Sequence, residues 1–148
     1  MRVIENSNGR AAFVRVDVTA VDEVRRMISF AETTFGGVDV LVNNAGGTPD
    51  PHFPEAPLEH WSRVLDLNLR GPMLAIQHAL PAMRRRGGGA IVNVSSIAGL
   101  GYMPHDSPEY SAAKAGLIRL TATLAPLAAR DRVRVNCVVP NWIATEEV

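Results

Sequence analysis

Short β-rich runs separated by long stretches of helical period constrain this chain more than any other feature. Ala12 to Val18 alternates with period two, placing Val14, Val16 and Val18 on one face and Phe13, Arg15 and Asp17 on the other, and this predicts a half-exposed strand. Thr19 stands where a helix N-cap belongs, and Val21, Val24, Ile28 and Ala31 recur at helical spacing until Gly36-Gly37. Val38 to Val42 reads as a second strand, emptying into Asn43-Asn44-Ala45-Gly46-Gly47 and a proline-rich loop from Thr48 to Pro57. Leu58 to Asn68 and Gly71 to Arg86 carry helical apolar faces, with a break near Gly71-Pro72, and Gly87-Gly88-Gly89 ends the pattern. Ala90 to Val94 is a third strand. Ser107-Pro108 sets a capping residue before a proline at the first helical position, opening a helix towards Arg130 that Pro126 should kink or end early. Val133 to Val139 is a fourth strand. Strands alternating with helices of this length predict an α/β fold, a parallel sheet with right-handed crossovers and helices on both faces.

Composition narrows the class. With 148 residues, 47% of them apolar, the chain can bury one core and makes a single domain. Fifteen basic side chains balance fifteen acidic ones, so no overall field draws it to nucleic acid or an anionic membrane. Arg84-Arg85-Arg86 reads as a solvated helix end, compatible with the helix dipole. The lone Cys137 cannot form an internal disulfide and reads as a buried strand residue. His52, His60, His78 and His105 lack metal-ligand spacing, so no metal is expected. Met1 to Arg10 resembles neither a signal nor a transit peptide, and the apolar runs fall far short of the roughly 20 residues of a membrane span. A cytoplasmic setting is the expectation.

In open α/β sheets ligands bind beyond the carboxyl ends of the strands. Four places qualify: Asp17, the run Asn43 to Gly46, Ser95-Ser96, and Pro140 to Thr145. Tyr110 and Lys114, four apart, share a helix face. Taken singly, these could be a turn cluster, a strand-ending cap and a solvated helix face. Taken in order, Asn43-Asn44-Ala45-Gly46, Asn68 within Asn68-Leu69-Arg70-Gly71, Ser95-Ser96 with Gly99 three later, Tyr110-Ser111-Ala112-Ala113-Lys114, and Arg134-Val135-Asn136 leading to Pro140 resemble the short-chain dehydrogenase/reductase family, from about Arg10 to Thr145.

That resemblance implies an incomplete Rossmann-like doubly wound sheet and hydride transfer between NAD or NADP and a small-molecule alcohol or carbonyl substrate. A phenol titrating near 10 is a poor acid-base group at neutral pH, and an ammonium one turn away favours its phenolate form. Tyr110 would exchange the proton, Lys114 would tune it and hold the nicotinamide ribose, and Ser96 would bond the substrate oxygen. Which serine of the pair acts is not fixed by spacing; the family pattern points to Ser96. Asn68 would support a proton relay through a helix irregularity and water. By the same resemblance Asp17 and Val18 lie at the adenine, Asn43, Ala45 and Gly46 line the cofactor cleft, and Pro140, Ile143 and Thr145 reach the nicotinamide. Asn141 stands where the family usually has glycine, and Pro126-Leu127 falls in a stretch usually free of proline.

The family's opening strand, glycine-rich turn and helix, which cradle the pyrophosphate, have no counterpart here. The expectation is therefore a single partial domain over residues 1–148, shortened at both ends. A two-strand gap would separate Ala12–Val18 from Val38–Val42, with exposed edges that favour a homo-oligomer through the two long helices. Such a chain alone should not bind the dinucleotide. Two rivals are a non-catalytic chain associating with a full-length relative, and the sugar-epimerase and dehydratase relatives, against which Asn43 to Gly46 and Asn68 argue.

Overall fold

A parallel three-stranded sheet in the order β1-β2-β3 is the centre of the computed structural model, which describes residues 9–49, 53–101, 107–141 and 143. Its strands are β1 (Val40–Asn43), β2 (Gly89–Val94) and β3 (Val133–Val138). The register sets Leu41 beside Ile91 and Ile91 beside Val135, and likewise Asn43 beside Asn93 and Asn93 beside Cys137. Between the strands run α1 (Val21–Phe35), α2 (Leu58–Leu65), a π turn (Asp66–Arg70), α3 (Gly71–Arg86), a 3-10 turn (Ile97–Leu100), α4 (Pro108–Thr123) and α5 (Leu127–Asp131). α1 precedes β1.

The sheet advances in one direction, β1 to β2 to β3, and right-handed crossovers then place both connections on the same face. On that face Leu41 and Ile91 join Val24, Ile28, Ala75, Ile76, Ala79, Met83, Leu127 and Val133 in one core. The other face, expected to carry helices too, is exposed at Val40 (60%), Val42 (56%) and Val138 (45%), so among the described residues no helix covers it.

Ala12 to Val18 departs from expectation. It forms no strand, because period-two alternation describes faces and a strand also needs a ladder partner, which this segment does not have in the three-stranded sheet. Its chain turns at Val18-Thr19, and α1 starts from Ala20; Thr19 gives its backbone N–H and hydroxyl to Asp17 instead of capping the helix. The helix around Gly71-Pro72 does not break. Pro72 has no N–H for the carbonyl four residues back, and its ring would strike that carbonyl in a regular helix; widening the preceding turn to π geometry removes the conflict. Pro126 ends α4 early and opens α5. Cys137 is only half-buried. No helix among the described residues is long and apolar enough to cross a membrane.

The arginines at the end of α3 are paired as well as solvated. Arg84 reaches Asp131 (2.8 Å), Arg85 reaches Glu32, and Arg86 reaches Asp39 (2.9 Å), so one helix end ties down α5, α1 and the approach to β1. Such half-exposed pairs contribute little stability each and serve mainly to orient.

A polar rung crosses the inner face within this apolar layer. Asn43 donates to the Asn93 carboxamide oxygen (2.8 Å), and Asn93 donates to the Thr121 hydroxyl (2.9 Å), which donates to the Leu117 carbonyl (2.8 Å). A one-residue slip of β1 would leave a buried amide unpaired. Asn93→Ala should therefore cost about 2–3 kcal/mol, because it orphans the Asn43 amide in the interior. Urea unfolding would show this as a lower midpoint at unchanged slope.

Candidate functional site

The π turn positions Asn68. Its side chain is completely buried, donating to the carbonyls of Gly47 (2.8 Å) and Val64 (2.9 Å) and accepting from the Gly47 N–H (3.0 Å). Three of its four hydrogen-bonding sites are thus spent on backbone, two of them on the loop that leaves β1. The helix irregularity expected at Asn68 is this π turn.

Lys114 comes to the same place from α4. Its ammonium donates to the Val94 carbonyl at the end of β2 (2.9 Å) and lies 5.5 Å from the centre of the Tyr110 ring. Both groups converge on Gly46: a Cβ there would stand 2.7 Å from the Asn68 carboxamide oxygen and 3.1 Å from the Lys114 nitrogen. A side chain at Gly46 would therefore push the carboxamide or the ammonium aside. Gly99 plays the matching part on the other side, since a Cβ would meet the backbone of Lys114 and Ala115 at 2.7 Å. The glycine three after Ser96 thus lets the 3-10 turn lie directly against α4.

The two serines separate in the structure. Ser95 is buried, and its hydroxyl is spent on the Lys114 carbonyl (2.8 Å). Ser96 is half-buried and accepts from the Ala98 N–H (3.2 Å), with its O–H proton still to donate. The Ile97 N–H donates to the Pro140 carbonyl (3.0 Å), which brings the end of β3 to the same loop. Asn68, Ser96, Tyr110, Lys114, Gly46 and Pro140 are therefore gathered at the carboxyl edge of the sheet.

The remaining predicted residues fall into two places. Val18, Asn43 and Ala45 line one cavity of about 80 Å³ with Leu41, Gly71 and Pro72. The Asn43 side chain, however, turns into the sheet, leaving its backbone at the cleft. Asp17 lies by a second cavity of about 260 Å³, with Thr19, Pro49, His60, Arg63, Val64 and Leu67. Its carboxylate accepts both bonds from Thr19, which hold it below the usual carboxylate range. Ile143 is exposed, and Thr145 lies outside the described residues.

Sequence reading missed one cluster. Glu109 and His60 are both buried, with the Glu109 carboxylate 3.7 Å from the imidazole Nε2 and bonded to Ser107. An acidic residue just inside a helix start looks like an ordinary partner of the helix dipole, so nothing in the pattern signals its burial.

The family model described as short chain dehydrogenase matches residues 1–148. An uncharacterised oxidoreductase of Thermotoga maritima is 41% identical over 91% of this chain and 52% of its own length. The cis-4-hydroxycyclohexanecarboxylate dehydrogenase of Sinomonas cyclohexanicum is 42% identical over 97% and 58%. Among crystal structures, a short chain dehydrogenase from Mycobacterium smegmatis superposes with a TM-score of 0.87 at 36% identity, covering 97% of this chain and 60% of that one. A short-chain type dehydrogenase/reductase from Mycobacterium marinum gives 0.88 at 34% identity, covering 95% and 56%. The fold is thus that of a class of α/β oxidoreductases. The chain belongs to the short-chain dehydrogenase family, and it spans about half the length of the curated relatives it matches.

Burial holds the Lys114 ammonium below the ordinary lysine value of 10.5, with Cys137 opposing more weakly. The unfolded chain therefore binds this proton more tightly than the folded one. Lys114's contribution to stability is least favourable at neutral pH, where both states are charged, and rises with pH as the folded amine deprotonates ahead of the unfolded one. Urea midpoints of wild type and Lys114→Met, compared from neutrality towards 10.5, should move in favour of wild type as pH rises. A difference independent of pH would contradict this.

Proposed function

We propose that this chain carries the alcohol- and carbonyl-handling part of a nicotinamide-dependent oxidoreductase site. The observation that carries the proposal is the placement of one buried ammonium against three things at once: the Tyr110 ring, the strand-end carbonyl beside Ser95-Ser96, and bare Gly46. In the oxidative direction the substrate hydroxyl would donate to Tyr110 as phenolate, while its carbon gives up a hydride. Ser96 would hold the same oxygen, with the Lys114 ammonium 5.5 Å from the centre of the Tyr110 ring. Asn68, by locking Gly47, would keep the loop after β1 at a fixed distance from the ammonium.

A dinucleotide, NAD or NADP, supplies the hydride acceptor or donor when bound. The residues present fit two portions of it. Lys114 and Tyr110 offer donors to a ribose diol, and Val18, Asn43 and Ala45 form an apolar slot for the edge of an adenine, with Asp17 beyond it. Pro140, Ile143 and Thr145 would serve the nicotinamide end. Among the described residues, none of the glycines forms a tight turn joining a strand directly to a helix N-terminus, the usual cradle for a pyrophosphate.

The relatives named for their reactions act on different alcohols and carbonyls: one is a hydroxycyclohexanecarboxylate dehydrogenase, another, from Synechocystis, a 3-oxoacyl-[acyl-carrier-protein] reductase. A small-molecule substrate of that general class, a cytoplasmic setting and a homo-oligomer built through the long helices α3 and α4 complete the reading. A second reading, a non-catalytic chain that associates with a longer relative, is favoured by one observation, the exposed valines Val40 and Val42 on an edge strand.

The test is to assay the chain alone and joined to the region of the Thermotoga maritima relative that the match leaves uncovered. Dinucleotide-dependent turnover of secondary alcohols or 3-oxoacyl thioesters is expected in the joined form. Tyr110→Phe should lower it about 10²–10⁴-fold without weakening dinucleotide binding by calorimetry. Lys114→Ala should impair both. Turnover undiminished in Tyr110→Phe would remove the acid-base assignment, and none in any joined form would favour the non-catalytic reading.

A further inference from the structure

Four side chains with no part in the chemistry above meet between α2 and the start of α4. The Glu109 carboxylate is 1% exposed and the His60 imidazole 7%. Glu109 Oε1 accepts from the Ser107 hydroxyl (2.7 Å) and lies 3.7 Å from His60 Nε2, while Oε2 has no hydrogen-bond partner among the described residues. Since Ser107 gives its one hydroxyl proton to the carboxylate, Thr48 must be the donor across the 2.6 Å that separates it from the Ser107 oxygen. The result is a directed chain of hydroxyls, Thr48 to Ser107 to Glu109, ending beside His60.

This cluster is poorly explained as a stability device. A buried carboxylate facing an imidazole at a distance too long for a hydrogen bond regains little of its desolvation cost, and two apolar side chains of similar volume would suit the interior as well. Ser107 also gives up a helix-capping role: it is the N-cap of α4, yet its side chain makes no capping bond and turns to Glu109. The location is more informative. Thr48 follows Gly47, which Asn68 holds from the opposite side through both of its backbone groups, and Glu109 immediately precedes Tyr110.

We propose that Glu109 is a positioning residue: through Ser107 and Thr48 it fastens the loop after β1 to the first turn of α4, and so fixes Tyr110 relative to that loop and to Asn68, which holds it. This rests on the oxidoreductase reading of Tyr110. The loop is gripped twice, by the π turn and by the buried cluster, and the phenol and ammonium are presented to substrate from a helix whose start cannot drift.

The test combines hydrogen exchange on the full chain, read by mass spectrometry, with kinetics of the joined form. Three variants serve: Glu109→Ala, Glu109→Gln, whose amide oxygen can still accept from Ser107, and Thr48→Val, a half-buried isostere that leaves the interior packed. Glu109→Ala and Thr48→Val should speed exchange at Gly47, and Glu109→Ala also at Ser111 in the first turn of α4, with β2 amides as slow as in wild type. Both should lower kcat about 10–100-fold at unchanged dinucleotide KM, the size expected of a small misplacement of a reacting group. Glu109→Gln should restore most of both. Exchange faster throughout the sheet in Glu109→Ala and Glu109→Gln alike would make the cluster merely structural and overturn the proposal. Wild-type kcat in Glu109→Ala would overturn positioning while leaving the function intact. If wild type itself turns nothing over, the oxidoreductase reading fails and takes this proposal with it, whatever the exchange pattern.

Discussion

The buried carboxamide of Asn68 is the constraint on which the site depends. Burying an amide is favourable only if its donors and acceptor are matched, and Asn68 meets that demand with the backbone of Gly47 and Val64. A distortion of one helix is thereby converted into the position of a loop twenty-one residues away in sequence. The loop in turn brings Gly46 so close to the carboxamide and the Lys114 ammonium that a side chain there would displace them. Remove the amide, and both the loop and the space around the ammonium lose their definition.

Much of this was legible in the sequence because it is written in local chemistry. β1, β2 and β3 were signalled by β-rich runs, the first two preceded by paired glycines and the third followed by proline, and the start of α4 by Ser107-Pro108. The gathering of Asn68, Ser96, Tyr110 and Lys114 at one edge was implied by the family resemblance. What was not legible is relational. Alternation at Ala12–Val18 records which side chains face water, and says nothing about whether a neighbouring strand exists to accept the backbone. The pattern around Gly71-Pro72 signalled a disturbed helix, but whether a proline breaks a helix or widens its preceding turn depends on what the displaced groups can bond to. Here the widened turn also carries the Asn68 side chain to Gly47, distant in sequence. Glu109 and His60 were hidden for the same reason: their types are those of surface residues, and only the packing of α2 against α4 buries them.

The one-sided layering has a consequence for how the parts communicate. Because both crossovers lie on one face, α1, α3 and α4 form a continuous layer, and the groups that matter reach the carboxyl edge from within it: Asn68 from the π turn before α3, Lys114 and Tyr110 from α4. The opposite face and the outer edge of β1 present Val40 and Val42 to solvent. Interactions made at Val40 and Val42 bear on β1 and the loop that follows it, the segment that Asn68 and Thr48 hold.

The contrast between fourteen arginines and a single lysine is the clearest case of residue type following physical need. Arginines such as Arg84, Arg85 and Arg86 work at the surface, where a planar fork can meet a carboxylate while its remaining donors face water. Lys114 stands where the Val94 carbonyl, bare Gly46 and the Tyr110 ring leave room for one compact cation. A guanidinium would bring five donors into a space with one carbonyl to accept them, and it could not relax by losing its proton. An ammonium asks for three, and burial already pulls it towards the neutral form. The same burial that makes Lys114 costly to fold around sets its charge 5.5 Å from the centre of the Tyr110 ring. The stability surrendered at Lys114 and its placement beside Tyr110 are thus two consequences of one burial.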